Sequence, residues 1–561
     1  VIDANGNAAL EVKGTTNKVG QGGNLHSAAQ ERIVKLSSTV SSFTNSGEML
    51  FGSFTQNGDN YTFASEKATD RIAVEKTGTT TINFTNSGKI NGVVRLTAAN
   101  GTQGNIVTLT AGSQGNEFIT GSGNDTFNVT GIIGSDTDNA LKQFNSLDGG
   151  SGSDTLNLAS SNYTVNKADT IKNIEQINLN SSSKLTLNDV LPNGTDTFVI
   201  SSNSIMQYNT KTDKEFAQQV QGTGLFTVKG DPSKNDLTFD FKNKQNNFNG
   251  TFETINVSFD LEGVNQQSLV NATLRGSSDS TINVGTGTQN VKGVHMNGAD
   301  FVFGNINPDD AHVTNGIRVA DDNIKTEKLE VSGGRVVADV SDVKNPVAPS
   351  EALDAGKESI LKHDDNNRKE QLIQANTVTQ NGSITIVDKD GNALAPTSTV
   401  AVNQKGTQVA NAKYGIDAYV ETGEAAGSYK NGLYAVVGLT EIELLEKEEN
   451  ANNALRLNAF GEIDEDARTL TAKLTGDGDV VATGDQEIIL KNGNNSHTGK
   501  TIVDANAALK TGSSGSLGAT SELVLQANSN TDLNGQQETV GALTAAAGSV
   551  LDLNGGALTI G

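Results

Sequence analysis

Few residues of this 561-residue chain stand where they could do chemistry. There are five histidines, His26, His295, His312, His363 and His497, and no cysteine. No two histidines are close, and no His-Glu-x-x-His string occurs. The pattern therefore predicts no zinc site and no thiolate site. The carboxylate strings worth weighing as an acid cluster are Asp309-Asp310-Ala311-His312, followed by Asp321-Asp322. A polysaccharide lyase or hydrolase needs clustered carboxylates with Arg or Lys on one face, and these are the only strings that approach it. Each also reads as a solvated turn. Gly512-Ser513-Ser514-Gly515-Ser516 is the nearest string to a serine nucleophile, and it lacks the aspartate of a Gly-Asp-Ser-Gly motif. No glycine-rich phosphate loop precedes a helix, so no nucleotide cofactor is implied. These residues predict a protein that is not an enzyme.

What must position any site is an unusual backbone. Gly is 61 of the residues, Pro only 6, Trp is absent and aromatics are 5%. Such a chain cannot fill a wide aromatic core. It can fill many thin layers with Val, Ile and Leu and turn between them with Asn and Gly. Short aliphatic runs recur along nearly the whole length, which argues against disorder. The net charge of −24 keeps a long chain soluble and opposes binding to nucleic acid or anionic lipid. No apolar stretch approaches the ~20 residues that span a bilayer, so no membrane insertion by this segment is expected. Val1 to Leu10 carries neither a basic start nor an apolar run, as in a mature or trimmed chain.

Internal repeats give the period. Asp532-Leu533-Asn534-Gly535 returns 20 residues later as Asp552-Leu553-Asn554-Gly555, and Leu523 returns as Leu543. Near the N-terminus Phe43-Thr44-Asn45-Ser46-Gly47 returns as Phe84-Thr85-Asn86-Ser87-Gly88, a step of 41 that reads as about two coils. One coil cannot bury its own apolar residues, but coils stacked at ~4.8 Å pair every strand with its neighbours. The expected fold is all-β, a right-handed parallel β-helix with a small helical and β insertion. The expected organisation is β-helix over 1–344, a helical insertion or linker over 345–376, a small sandwich-like module or decorated coils over 377–449, and β-helix again over 450–561. In the insertion, Pro346 and Pro349 interrupt the pattern, Ser350 is placed to cap a helix over 351–361, and 368–374 to continue it. Asp388-Lys389-Asp390-Gly391 reads as a hairpin turn.

Two resemblances add to this reading. Residues 474–561 resemble the autotransporter-associated β-strand repeat. The string Leu474-Thr475-Gly476-Asp477-Gly478 is followed by Ile488-Ile489-Leu490 and Gly493-Asn494-Asn495-Ser496-His497-Thr498-Gly499-Lys500-Thr501. Ser516-Leu517-Gly518, Gln537-Glu538-Thr539-Val540-Gly541 and the two Asp-Leu-Asn-Gly turns complete it. The family usually has Tyr-Thr-Gly where this chain has His497-Thr498-Gly499. Gly432-Leu433-Tyr434 and Val437-Gly438-Leu439-Thr440 look like the stretch that precedes such repeats. The resemblance implies a pertactin-like passenger β-helix, displayed at the bacterial cell surface or released, and exported through a C-terminal β-barrel that is missing here.

Within 115–195, Gly149-Gly150-Ser151-Gly152-Ser153-Asp154-Thr155-Leu156 resembles the calcium-binding nonapeptide of RTX proteins, with Gly121-Ser122-Gly123-Asn124-Asp125-Thr126-Phe127 as a looser copy. Asn173-Ile174-Glu175-Gln176-Ile177-Asn178-Leu179 and Leu185-Thr186-Leu187-Asn188-Asp189-Val190-Leu191 are similar to segments of large RTX-type adhesins. This resemblance implies that Asp125 and Asp154 ligate calcium between adjacent coils; no other cofactor is implied. The spacing departs from the nonapeptide, since Glu117 to Asp125 is a step of 8. The alternative is a pair of metal-free solenoid corners. The function expected is a surface adhesin that binds a host glycan, a matrix protein, or its own copies on neighbouring cells. A β-helix polysaccharide lyase or hydrolase and a calcium-dependent structural surface protein are the alternatives.

Overall fold

The computed structural model describes the chain from Leu10 to Gly561 except for 13–15, 20–23, 28–31, 58–59, 67–69, 138–142, 309–311, 315–316, 342, 344–351, 355–358, 366, 423–429 and 447–453. The fold is all-β, built largely from parallel ladders of strands, with antiparallel pairs at a few places. The chain forms two compact units, Val1–Glu253 and Thr254–Gly561. The division falls inside the stretch 1–344.

In the first unit the ladder that best shows the principle contains Ser42–Asn45, Asn83–Asn86, Gln103–Leu109, Asn124–Thr130, Thr155–Ala159, Gln176–Asn180, Thr197–Ile200 and Gln219–Gly222. The register aligns Phe43, Phe84, Val107, Phe127, Leu156, Ile177, Phe198 and Val220 one above another. Each is buried, and the residues between them are more exposed, as the period-two side-chain alternation requires. Two further ladders of parallel strands run beside it, one through Arg32–Leu36, Ile72–Lys76, Val93–Leu96, Glu117–Thr120 and Ser146–Asp148, the other through Asn162–Val165, Lys184–Asn188 and Ile205–Thr210. Where the coil widens, aromatics replace aliphatics. Phe216 lies 5.4–6.4 Å, ring to ring, from Phe198, Tyr208, Phe226 and Phe239.

The 41-residue echo is one coil, not two. Ser42–Asn45 pairs directly with Asn83–Asn86, the Phe43 and Phe84 rings stack at 5.8 Å, and Asn45 Nδ2 donates to Asn86 Oδ1 at 2.9 Å. The extra length is an antiparallel hairpin, Glu48–Asn57 with Asn60–Ser65, carried on that coil. At the C-terminus the 20-residue step is one coil as read: Leu523 pairs with Leu543 and Asp532 with Asp552. Asn534 and Asn554 both take the left-handed conformation in the turns, with φ of 49° and 45°.

The second unit begins with parallel strands, among them Thr273–Ser277, Gly293–Asn305 and Ile317–Asp339. A helix at Gly263–Leu269, which the sequence reading did not anticipate, covers one turn of chain here. The expected helix over 351–361 continuing through 368–374 is corrected. Among the described residues the helix spans Ile360–Asp365, while Leu353–Asp354 and Arg368–Gln380 are strands. Ser350 and Pro346 lie outside the described residues, as does Pro349; the hydroxyl of Ser359 instead accepts from Leu361 N at 3.3 Å at the helix start. Asn367 stops the helix because its Oδ1 accepts from Leu439 N at 2.7 Å and its Nδ2 donates to the Leu439 carbonyl at 2.9 Å. Beyond it, the backbone of Arg368–Gln380 is paired on both sides, parallel with Ile317–Asp339 and antiparallel with Gly432–Leu444. Two ladders of inter-strand hydrogen bonds outweigh the modest helix propensity of Arg-Lys-Glu-Gln-Leu.

The described part of 377–449 is built mainly from antiparallel strands. Ser398–Gln404, Thr407–Glu421 and Gly432–Leu444 form an antiparallel meander whose last strand pairs in parallel with Lys473–Gly476 of the following coils. The turn at Asp388 is present: Asp388 Oδ1 accepts from Asp390 N and Asn392 N. From Leu455 onward the coils stack in two main ladders with Leu, Ile and Val inside.

Candidate functional site

Asp125 and Asp154 lie on successive coils, at the same corner, where Asn124–Thr130 pairs with Thr155–Ala159. The corner repeats one device over four coils. The side chain of each coil accepts the backbone N–H of the coil before it. Ile82 N donates to Asn105 Oδ1 at 3.1 Å, Asn105 N to Asp125 Oδ1, Asp125 N to Asp154 Oδ1 at 2.6 Å, and Asp154 N to Glu175 Oε2 at 2.6 Å. Asn105 Nδ2 adds a second bond to Asp125 Oδ1 at 2.9 Å. The stack needs glycine beside it: a Cβ on Gly150, at φ +87°, would fall 2.0 Å from the Gly121 carbonyl oxygen.

Each aspartate thus spends Oδ1 on a backbone amide and leaves Oδ2 buried without a hydrogen-bond partner. Burial pushes Asp125 up to about 6. It pushes Asp154 up to about 7, and the negative charges of Asp125, Glu175 and Asp148 add to the rise against the bond from Asp125 N. Two orphaned carboxylate oxygens are hard donors of the right kind for calcium, which takes six to eight oxygens. Among the described residues, however, no group of three or more acidic or histidine side chains converges here or elsewhere. The corner is also tightly closed, since a Cβ on Gly149 would come within 2.6 Å of Asp154 Oδ2. This packing shifts the buried carboxylate pair toward its protonated form.

Among the described residues, the others singled out from the sequence have separate surroundings. Asp309 and Asp310 lie outside the described residues, as do the side chains of His26 and His312. Asp322 Oδ1 accepts from Gly287 N at 2.8 Å. His295 bridges Arg275 Nε and the Ser332 hydroxyl. His363 meets the Tyr414 hydroxyl at 3.3 Å. His497 is buried, its Nε2 against Thr501 and Thr520, and burial lowers it to about 4. Ser513 and Ser516 donate their hydroxyls to the carbonyls of Val420 and Ser513, as structural serines do.

Sequence reasoning missed Glu370, which burial and nearby Asp321 push up to about 7. It lay inside the segment read as helix, so its neighbour on another strand was invisible. Glu370 is only 2% exposed, which leaves no room for a substrate to reach it. Asp364, between the two segments read as helix, was missed as well, because its partners lie far along the chain; its carboxylate takes Thr471 N, Thr471 Oγ1 and Ala472 N at 2.8–3.0 Å and ties the short helix to the following coils.

Outside the core the coils carry ladders of side-chain amides. On one flank of the first unit Asn157 Nδ2 donates to Asn128 Oδ1 and Asn178 Nδ2 to Asn157 Oδ1, at 2.8 and 2.7 Å. On another, Asn166 donates to Asp136, Asn188 to Asn166 and Asn209 to Asn188, at 2.8, 2.6 and 2.6 Å. The second ladder floors an open groove of about 490 Å³, whose sides include Asp189, Lys211, Lys229 and Asp231. An asparagine has two N–H donors and two acceptor lone pairs. Each rung consumes one of each, so the ladder presents the remaining donors and acceptors at the coil spacing of ~4.8 Å.

The chain is similar to two proteins of Escherichia coli (strain K12). One is named uncharacterized protein YuaQ, 29% identical over 375 residues, which are 64% of this chain and 25% of that protein. The other is named uncharacterized lipoprotein YdeK, 30% identical over 362 residues, which are 63% of this chain and 26% of that protein. The chain spans about a quarter of the length of the relatives it matches. No family model and no solved structure matches it.

Proposed function

We propose that the chain is the passenger portion of a bacterial surface adhesin that binds through the polar flanks of its coils. The observation that carries this reading is the stacked Asn166, Asn188 and Asn209 ladder with its charged groove walls. A flat row of amides gives weak contacts, because each hydrogen bond is exchanged for one with water. Many copies on one cell turn weak contacts into avidity through effective concentration. The likeness to a lipoprotein supports a place in the cell envelope. The resemblance of 474–561 to the autotransporter repeat supports display at the surface of the outer membrane. The partner is a host glycan, a matrix protein or a second passenger on a neighbouring cell, and the chain performs no catalysis.

Settling and adhesion assays on cells with and without surface expression of this chain test the reading. Expression should cause aggregation or attachment, and charge-altering substitutions spread along the groove flank (Asn188→Asp with Asn209→Asp) should abolish it. Equal behaviour of both cell types, or turnover of a polysaccharide by the purified chain, refutes it.

A further inference from the structure

The second unit holds a cleft of about 610 Å³ between the segment Gln380 to Thr385 and the corners of the C-terminal coils. Its walls are fixed from behind. Asn494 Oδ1 accepts from Ile384 N and Gln380 Nε2 at 3.2 Å each, and Asn494 Nδ2 donates to the Ile384 carbonyl at 2.9 Å. Asn495 Oδ1 accepts from Leu474 N at 2.7 Å, and its Nδ2 donates to the Ser516 carbonyl at 2.6 Å. Beneath this wall the buried carboxylate of Glu538 accepts from Ser516 N and Leu517 N at 3.1 and 3.0 Å. The corner loops are therefore held in place before any ligand arrives.

Several polar side chains that line the cleft are, by contrast, little used within the protein. Gln380 belongs to the fixed wall, since it is buried and its Nε2 donates to Asn494 Oδ1 and to the Gly382 carbonyl. Lys473 makes no ion pair or hydrogen bond with any described residue. Asp417 receives one bond, at 2.8 Å, from the adjacent Ala418 N. The hydroxyls of Thr385, Ser496 and Thr539 line the same space without intramolecular partners among the described residues. Ligand pockets of this size are usually walled by apolar and aromatic side chains with a few polar groups. Here polar groups make up about half of the wall, and no aromatic ring lines the cleft among the described residues. One cation and one anion leave it without net charge, which does not suit a phosphate or a polyanion. A peptide would need apolar side-chain pockets or a free sheet edge. A ligand that matches many donors and acceptors with little apolar surface is a chain of sugar rings.

We infer that this cleft is a binding site for a neutral oligosaccharide, held by Asp417, Lys473 and the hydroxyls of Thr385, Ser496 and Thr539. The inference rests on the adhesin reading for the source of the glycan, and names the class of its partner. Burial pushes Asp417 up to about 6, against the field of Lys473. Its carboxylate near neutrality is therefore chiefly an acceptor for sugar hydroxyls, and below about pH 6 it becomes a donor as well.

The test is titration of the whole purified chain with chitotriose, mannotriose, maltotriose and lactose, read by saturation-transfer NMR and calorimetry. Two variants accompany it. Thr539→Trp places bulk in the cleft from an exposed position on the strand Gln537–Val540, and Asp417→Asn removes the charge. At least one saccharide should bind, Thr539→Trp should weaken it tenfold or more with an unchanged unfolding midpoint, and Asp417→Asn should weaken it several-fold. If none of the saccharides binds, or if Thr539→Trp binds as the native chain does, the assignment is overturned. Cells that adhere while the purified chain ignores every saccharide would overturn this assignment and leave the adhesin reading standing. Saccharide binding without adhesion would support the cleft and refute the adhesin.

Discussion

Asp154→Asn is the change whose effect can be worked out most fully. Asp154 is fully buried, its Oδ1 accepts from Asp125 N, and its Oδ2 has no partner. Its carboxyl rises from an ordinary 3.8 to about 7 in the fold. Between these two values the native state holds a proton that the unfolded chain has released. Stability must therefore fall as pH rises from about 4 to about 7, and level off above that. At 1.36 kcal/mol per pKa unit, the loss is about 4 kcal/mol for Asp154 alone. Asp125, raised to about 6, titrates with it as a coupled pair, so the two losses do not simply add. Asparagine keeps the Oδ1 acceptor and cannot ionise. The variant should match the native chain near pH 4 and exceed it near pH 8 by up to about 4 kcal/mol. Urea unfolding of both proteins across this range, with calcium and with chelator, measures the difference. A variant less stable than native near pH 8 under chelation refutes the proton-holding corner. A calcium-dependent stabilisation of the native chain near pH 8 that Asp154→Asn removes would instead establish the metal site.

Three further outcomes follow from the packing. Phe216→Ala empties the centre of the aromatic cluster around Phe198, Tyr208, Phe226 and Phe239 and should cost about 3–5 kcal/mol, read as a lower urea midpoint. Asp364→Ala orphans the buried amides of Thr471 and Ala472 and should cost at least about 3 kcal/mol, with the loss seen first in hydrogen exchange of the helix Ile360–Asp365. His497, lowered from 6.5 to about 4 by burial, stays neutral in the fold. It should remove about 3 kcal/mol of stability as pH falls from about 6.5 to about 4, and His497→Gln should abolish that acid-side loss.

The coil was legible because its signal is local. Asp532 and Asp552, or Leu523 and Leu543, repeat at the true coil length and pair in register. The Phe43 and Phe84 echo was equally real, but its length misled, since a hairpin of two strands hides inside that coil. No sequence period can tell a wide coil from two narrow ones. The segment 368–374 was misread for a different reason. Helix propensity is a property of neighbours in sequence, whereas Arg368–Gln380 is fixed by strands that come from 317–339 and 432–444. The same distance hid the acids. Glu370 beside Asp321, and Asp364 under Thr471, are pairs made by the fold.

A stacked fold sets amides and acids under different constraints when they recur at one position. Each coil places its residue directly over the same position of the coil below. A column of asparagines gains a hydrogen bond per rung, as Asn166, Asn188 and Asn209 do. A column of carboxylates gains mutual repulsion in the same geometry, at a spacing where like charges at low effective dielectric interact by several kcal/mol. Asp125, Asp154 and Glu175 form such a column. It can persist because every carboxylate accepts a backbone N–H from the coil before, and because burial raises Asp125 and Asp154 to about 6 and about 7, which eases the repulsion as either takes up a proton. Changing Glu175 to Gln removes the outermost charge while it keeps the acceptor for Asp154 N. Asp154 should then titrate lower than in the native chain, by less than the shift that burial alone causes, since burial is the larger contribution. A narrowed pH window in the unfolding of Glu175→Gln is the expected result. An unchanged window would mean that burial sets the titration unaided, and that repulsion along the column is screened.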